Sequence, residues 1–182
     1  TVWVSEDILL DLADSQTPQG IVAVVQKEEV GQADFSQGKF LFLEDVQDPG
    51  NVGTIIRTAD AAGFTGVIVS DKSADIYSFK TLRSMQGSHF HLPIYRMSSQ
   101  AILEKAKKAG IPVLATTLSK DSVDYRELSS IETFVLVMGN EGQGISPLMA
   151  ESADQLVHIS MKGQAESLNV AVAAGILIFH LS

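Results

Sequence analysis

The sequence predicts an α/β fold in which a mostly parallel β-sheet carries helices on both faces. Strand-like and helical patterns alternate along the 182 residues, and the strands are apolar at successive positions. Strands of this kind are buried on both faces, which is typical of a parallel sheet covered by helices. The chain has the length of one domain. Because it contains no cysteine, it fits a reducing compartment, and we expect a cytoplasmic protein.

The individual elements follow from apolar runs and from helix start and stop signals. The predicted strands cover residues 21–26, 40–46, 67–70, 92–96, 112–116, 134–138 and 155–160. The predicted helices cover residues 6–13, 51–62, 78–86, 101–109, 147–153 and 167–181, with a helical turn at 124–128. Asn51 is a candidate N-cap of the second helix, Ser98 or Ser99 of the fourth, and Ser146 of the fifth, where Pro147 follows it. Residues 14–20 have the composition of a linker, and residues 27–39 that of a loop.

A glycine-rich turn follows the most apolar internal strand. Residues 134–138 lead into Gly139, Gly142 and Gly144, and then into a helix. Proteins with α/β folds bind ligands at the carboxyl ends of such strands. The glycine spacing matches neither the dinucleotide fingerprint nor a P-loop. The four histidines lack the spacing of metal ligands, so we expect no metal site.

The last helix has no polar face over at least two turns. Residues 170–179 are almost entirely apolar, with small residues among them. One side of such a helix can pack on the sheet, while the other needs a partner. We therefore expect a homodimer through this helix. The alternative is a helix that is buried entirely within the monomer.

Three groups of polar residues are candidates for chemistry. The first is Asn51 with Arg57, the second is Asn140 with Glu141, and the third comprises Glu166, Ser167 and Asn169. Each has a structural alternative, since an arginine is usually a solvated surface residue and Ser167 can simply cap the last helix. An amide in the first turn of an apolar helix, in contrast, needs a hydrogen-bond partner.

These groups lie within three longer motifs. Residues 42–59 read FLEDVQDPGNVGTIIRTA, residues 137–145 read VMGNEGQGI, and ISM at 159–161 is followed by ESLNVAVA at 166–173. The motifs resemble, in order and spacing, those of the SpoU (TrmH-like) family of RNA ribose 2′-O-methyltransferases in the SPOUT superfamily. The resemblance covers about residue 20 to the C-terminus. One such motif is weakly specific, but three in order are strongly specific.

The resemblance implies a fold, a cofactor and partners. Members have a C-terminal trefoil knot that binds S-adenosylmethionine (SAM) largely through backbone groups, and they dimerise through the knot region. The positions that match the cofactor site are Gly139, Asn140, Gly142, Ile159, Leu168 and, near the adenine, Thr116. Many members also carry an N-terminal RNA-binding domain. We expect residues 21–182 to be the catalytic domain and residues 1–20 a linker or the remnant of such a domain.

The function that the resemblance implies is SAM-dependent methylation of a ribose 2′-hydroxyl in structured RNA, with rRNA favoured over tRNA. By position, the catalytic residues are Arg57, Asn51, Glu141, Ser167 and Asn169. Arginine holds its proton too firmly to be a base, so Arg57 would bind phosphate and stabilise developing negative charge. Glu141 would orient Arg57 or accept a proton.

Two other classes remain open from the sequence. One is a non-catalytic module that binds RNA or SAM, and the other is a doubly wound enzyme that uses a different nucleotide. The net charge of −9 argues against an RNA substrate, because phosphate binding needs clustered lysine and arginine. A basic surface on the N-terminal domain, or a local basic groove, would answer that objection.

Overall fold

The computed structural model describes residues 1–13, 17–27 and 31–182. The strands are β1 (Lys39–Leu43), β2 (Gly66–Val69), β3 (Ile94–Arg96), β4 (Val113–Thr116), β5 (Val123–Asp124), β6 (Phe134–Met138) and β7 (Gln155–His158). The helices are α1 (Glu6–Ala13), α2 (Pro49–Ala61), α3 (Phe79–Met85), α4 (Ser99–Ala109), α5 (Pro147–Ser152) and α6 (Val170–Leu181), with 3₁₀ turns at Ser88–Phe90 and Tyr125–Glu127.

The strands form one sheet in the order β3-β2-β1-β6-β4-β7-β5, and every pairing between them is parallel. Apolar side chains from the two faces of this sheet belong to separate cores. Leu41 and Leu136 pack with α2 and α6 on one face, while Phe42 and Val137 pack with α4 on the other. The prediction of a parallel sheet with helices on both faces is therefore confirmed.

Two predicted helix starts are wrong by a few residues, and both corrections matter for the site. The N-cap of α2 is Asp48, whose Oδ1 accepts from the Asn51 backbone N–H at 2.9 Å. Asn51 therefore lies inside the first turn, and its own side chain is free for other partners. The N-cap of α6 is Asn169 rather than Ser167. The caps at Ser98 and Ser146 are confirmed.

The strand predicted over residues 21–26 is wrong. This segment has no regular structure, and Ile21 is 79% exposed and Val24 100% exposed. Its β-branched residues favour an extended backbone, but burial also requires a neighbouring strand. Both edges of β1 are already paired, with β2 and β6. The predicted linker at 14–20 and loop at 27–39 lie partly outside the described residues.

The edge strand β5 is not predicted by the sequence, because only two residues form it.

Helix α6 is less enclosed than its composition suggests. Ala174 and Leu177 are buried against the domain, while Val172 is 52% and Phe179 58% exposed. No helix in the described ranges is long and apolar enough to cross a bilayer.

Candidate functional site

The carboxyl ends of four adjacent strands meet at one edge of the sheet. Leu43 at the end of β1 pairs with Met138 at the end of β6, and Thr116 of β4 pairs with Val157 of β7. The next residues of each strand therefore emerge side by side. The Glu44 N–H extends the β1–β6 ladder by one bond to the Met138 carbonyl, at 2.9 Å. This register brings the first two motifs together.

The glycine-rich turn after β6 closes on itself through Asn140. The backbones of Asn140 and Gly144 exchange two hydrogen bonds of 2.9 Å. Asn140 Oδ1 accepts from the N–H groups of Gly142 and Gln143, and Asn140 Nδ2 donates to the Asp45 carbonyl at 2.8 Å. These bonds hold the Asn140 amide within the turn, so Asn140 orders the backbone groups that the turn presents to a ligand.

Gly139 is required by the closeness of the two arms of this turn. A Cβ built at this position would lie 2.3 Å from the Gly144 carbonyl carbon and 2.5 Å from the Ile145 nitrogen. Both contacts are with backbone, which cannot rotate away as a side chain can. Any larger residue at position 139 would therefore force the two arms apart.

A cavity of about 760 Å³ opens between this turn, the end of β7 and the segment before α6. Its volume lies within the range of small-molecule sites, roughly 300–1,000 Å³. All six residues predicted to bind the cofactor line it, namely Gly139, Asn140, Gly142, Ile159, Leu168 and Thr116. Glu141, Ser167 and Asn169 line it too, together with Leu118, Met138, His158 and Met161, which the sequence analysis did not identify.

A chain of side-chain hydrogen bonds connects the three motifs at the mouth of this cavity. Asn51 Nδ2 donates to Glu141 Oε1 at 3.1 Å, and Asn169 Nδ2 donates to Asn51 Oδ1 at 3.1 Å. Asn169 Oδ1 accepts from the N–H groups of Ala171 and Val172, which fixes the orientation of its amide. Asn51 thus bridges the glycine turn and the start of α6. The partner that Asn169 was expected to need is therefore Asn51.

Glu141 holds the loop that leads into α2. Its carboxylate accepts from the backbone N–H groups of Gln47 and Asp48, each at 3.2 Å, as well as from Asn51. Partial burial raises the pKa of Glu141, but the hydrogen bonds from Asn51 and from backbone N–H groups outweigh it and leave that pKa below its usual range. Glu141 is therefore ionised at neutral pH and is a weak base. Among the described residues, no hydrogen bond or ion pair joins Glu141 to Arg57.

Arg57 and Ser167 are the two predicted site residues without partners inside the described part of the chain. Arg57 is exposed on α2, six residues after Asn51, and its side chain forms no ion pair or hydrogen bond with any described residue. Ser167 is exposed at the rim of the cavity and is likewise free of hydrogen bonds to described residues. Both groups are available to an external ligand.

Sequence reasoning missed Glu44, which is buried directly behind the glycine turn. The side chain is only 3% exposed and accepts from the Ser146 N–H at 2.8 Å, the Ser146 hydroxyl at 2.7 Å and the Ser99 hydroxyl at 2.5 Å. It ties the end of β1 to the starts of α4 and α5. The sequence signal that could have identified Glu44 is its place directly after the apolar run of β1.

A second polar cluster supports the far wall of the cavity. Asp124 accepts from Arg126 Nε at 2.6 Å and from the Ser160 hydroxyl at 2.5 Å. His158, which lines the cavity, lies between the Ser122 hydroxyl at 3.0 Å and the Ser160 hydroxyl at 3.3 Å. In the described ranges, no three histidine, aspartate or glutamate side chains converge as a metal ion would require.

Comparison with proteins of known sequence places this chain in a family. The sequence is 44% identical over 178 residues to the 23S rRNA (guanosine(2553)-2′-O)-methyltransferase RlmP of Bacillus subtilis, an alignment that covers 98% of this chain and 71% of that protein. It is 34% identical over 173 residues to a putative TrmH family tRNA/rRNA methyltransferase, YacO, of the same species, covering 90% of this chain and 69% of the relative.

Solved structures agree with the sequence relatives. An AdoMet-bound rRNA methyltransferase from Sinorhizobium meliloti superimposes with a TM-score of 0.91 at 36% identity, over 97% of this chain and 69% of that one. The SpoU methyltransferase AviRb from Streptomyces viridochromogenes, in complex with AdoMet, gives a TM-score of 0.72 at 34% identity, over 82% and 60% of the two chains. Residues 38–179 also match the SpoU rRNA Methylase family pattern. The chain therefore belongs to the SpoU rRNA methylase family.

Proposed function

We propose that this protein transfers a methyl group from SAM to a ribose 2′-hydroxyl of RNA, with ribosomal RNA as the substrate class. The observation that carries the proposal is the Asn51 bridge. It joins a cavity suited to a nucleoside cofactor with the helix that bears the unpaired Arg57. The names of RlmP and of the S. meliloti enzyme support rRNA over tRNA, whereas the name of YacO covers both.

The lining of the cavity fits SAM. Gly139 and Gly142 expose backbone groups at one side, while Leu168 and Ile159 provide apolar surface for an adenosine ring. Thr116 lies at the end of β4, where its hydroxyl donates to the Val137 carbonyl at 2.9 Å. When bound, SAM supplies an activated methyl group, so the protein itself needs to supply position and charge.

Arg57 binds the RNA and stabilises charge in this scheme. A guanidinium always carries its proton at physiological pH, and its planar fork matches phosphate oxygens. Its exposed position on α2 leaves it free for a phosphate next to the target ribose. There it also favours the negative charge that develops on the 2′-oxygen during transfer.

Glu141, Asn51 and Asn169 act mainly as positioning residues. Glu141 fixes the backbone at the entrance of α2, and Asn51 connects that entrance to α6. The lowered pKa of Glu141 makes it a poor acceptor for the 2′-hydroxyl proton. Their joint effect is to hold Arg57 at a fixed distance from the cavity, and orientation of reacting groups can contribute on the order of 7–11 kcal/mol. Ser167, at the rim, faces the space that the target nucleotide would occupy.

We also propose the trefoil knot, the dimer and the cytoplasmic location for this chain. In the sheet order, β4 lies between β6 and β7, so the chain crosses β4 after it leaves β6, and this crossing supports a knot. The exposed apolar face of α6, with Val172 and Phe179, supports association through that helix. In this scheme residues 21–182 form the catalytic domain.

Two measurements on the 182-residue chain test the proposal. Isothermal titration calorimetry determines whether SAM binds. Radiolabelled methyl transfer to an in vitro transcript of 23S rRNA, with a tRNA transcript in parallel, determines turnover and substrate class. We expect saturable SAM binding and label in the rRNA. Binding without transfer to either RNA would favour a non-catalytic module, and no SAM binding would exclude the proposed reaction.

A further inference from the structure

Helix α3 packs along the start of α2, so its exposed side chains stand beside the proposed active site. A Cβ at Gly53 would lie 2.5 Å from Ser84 Cβ, and a Cβ at Gly50 would lie 3.4 Å from Lys80 Cε. Lys80 Nζ reaches Asp48 Oδ2 at 2.8 Å. Lys80, in the first turn of α3, is therefore in contact with the loop that Glu141 holds at the entrance of α2.

Arg57 belongs to the same side of α2. Gly50, Gly53, Arg57 and Asp60 are spaced by three, four and three residues, which places them on one helix face. Farther along this face, Asp60 Oδ2 lies 3.3 Å from His91 Nδ1, just beyond the 3₁₀ turn that follows α3. The seam between the two helices thus runs past Arg57.

Two of the cations on this seam have no counter-charge. Arg83 and Arg57 are exposed and form neither an ion pair nor a side-chain hydrogen bond with the described residues. Lys80 forms an ion pair with Asp48, in which the two side chains are 64% and 44% exposed. On a chain with a net charge of −9, a local cluster of this kind attracts anions to one place.

An exposed aromatic ring lies directly beside these cations. Phe79 is 51% exposed and has no ring or cation partner among the described residues, whereas the ring of nearby Tyr77 is covered by Lys27 Nζ at 3.8 Å. Phe79, Lys80, Arg83 and Ser84 line a surface hollow of about 320 Å³. The hollow therefore combines a free aromatic face with the unpaired Arg83 and with Lys80, which also pairs with Asp48.

We propose that this α3 surface, formed by Phe79, Lys80 and Arg83, binds the RNA strand that flanks the target ribose. The inference rests on the proposed function. Arg83 and Lys80 contact backbone phosphates, and Phe79 stacks on an unpaired base. Aromatic stacking beside backbone contacts is the usual way in which proteins hold single-stranded RNA. This surface would place within the catalytic domain the clustered positive charge that RNA binding needs, on a chain whose net charge is −9.

The test compares Arg83→Glu and Phe79→Ala with Lys107→Glu on the 182-residue chain. Lys107 is an exposed cation on α4, across the sheet from α3. Affinity for an unmodified 23S rRNA transcript is measured by filter binding, KM for the same RNA by methyl transfer, and SAM affinity by calorimetry.

We expect RNA binding to weaken about tenfold in Arg83→Glu at moderate salt and about fivefold or more in Phe79→Ala. A plot of log RNA affinity against log salt concentration should have a shallower slope for Arg83→Glu than for the wild type, by about the amount that one phosphate contact contributes. SAM affinity should keep its wild-type value in both, and Lys107→Glu should match the wild type throughout.

Wild-type RNA affinity in both α3 variants would overturn the inference, as would an equal loss in Lys107→Glu. The proposed function can fail separately. If the wild-type chain binds no SAM and transfers no methyl group, the methyltransferase proposal is wrong, while filter binding still decides whether the α3 surface holds RNA.

Discussion

At the residue scale, Asn51 is the side chain on which the geometry of the site depends. Its Nδ2 donates to Glu141 while its Oδ1 accepts from Asn169. The Asn51 amide supplies both the donor and the acceptor that this arrangement needs, whereas aspartate cannot donate and alanine can do neither. Asn51 was first interpreted as a candidate N-cap. Because Asp48 takes that role, the amide is available to connect the motifs.

Arg57→Ala should abolish methyl transfer while leaving SAM binding intact. Arg57 has no partner among the described residues, so its loss removes charge stabilisation without disturbing the fold. We expect the single-turnover rate to fall by about 10²- to 10³-fold. Rapid-quench transfer assays give the rate and calorimetry gives the SAM affinity, with Lys108→Ala on α4 as a control that behaves like the wild type. A rate within a few-fold of the wild type would remove Arg57 from the mechanism.

Gly139→Ala should impair SAM binding and stability together. The added methyl would lie 2.3 Å from the backbone of Gly144, and overpacking of this kind costs about 1–3 kcal/mol. Chemical denaturation and SAM titration report the two effects. Gly31→Ala is the matched control, because nothing lies within 4 Å of a Cβ there. An unchanged SAM affinity in Gly139→Ala would contradict the assignment of this turn to the cofactor.

At the scale of elements, the strands and most helix caps could be predicted, because apolar runs and capping residues are local signals. The strand predicted at residues 21–26 failed because pairing is not local. Residues 21–26 have the right composition, yet no strand of the sheet pairs with them, and β2 and β6 occupy both edges of β1. Glu44 was missed for a related reason. A carboxylate after a strand is common, and only the fold brings Ser99 and Ser146 to it.

The cluster at β5 should make stability depend on acid pH. Hydrogen bonds from the Arg126 side chain, then from Ser160, hold the pKa of Asp124 far below its usual range. Because the pKa of Asp124 is lower in the folded than in the unfolded state, its ionised carboxylate stabilises the fold. This stabilisation is complete above the unfolded-state pKa of about 3.9 and is lost progressively as the pH falls from there toward the folded-state pKa. Asp124→Asn should therefore lower the melting temperature at pH 7, and the difference from the wild type should narrow below about pH 4.

Thermal unfolding of both proteins between pH 3 and pH 8 tests this expectation. Asp121→Asn, on the neighbouring exposed turn, serves as the control and should follow the wild type. A difference between Asp124→Asn and the wild type that stays constant down to pH 3 would mean that the carboxylate charge does not stabilise the β5 edge.

At the scale of the whole molecule, the apolar face of α6 should hold two copies together. Val172 and Phe179 project from a helix whose opposite face is buried in the domain. Analytical ultracentrifugation of the wild type should show a dimer, and Val172→Asp should shift it toward monomer because a buried charge is costly. Val24→Asp, at a fully exposed apolar position outside α6, should leave the dimer unchanged. A monomeric wild type would contradict this assembly.

The motifs predicted which residues share the site, but not how they interact. The resemblance placed Asn51, Glu141 and Asn169 in one region, and the structure brings their side chains within hydrogen-bond distance. For Glu141 the resemblance leaves two roles open, orienting Arg57 or accepting a proton. In the structure, the Glu141 carboxylate accepts from the backbone N–H groups of Gln47 and Asp48 and so fixes the entrance of α2. These hydrogen bonds depend on the pairing of β1 with β6, which the sequence does not specify locally. The α3 surface lies outside all three motifs, so it could be identified only from the packing of α3 on α2.

The central claim is that this chain methylates a ribose 2′-hydroxyl of RNA. The most direct test is to react the protein with SAM and unmodified 23S rRNA transcript, digest the RNA to nucleosides, and identify the methylated product by mass spectrometry. We predict a 2′-O-methylnucleoside at one position of the rRNA, absent when SAM is omitted. A methyl group on a base, or no methylated nucleoside in the presence of bound SAM, would contradict it.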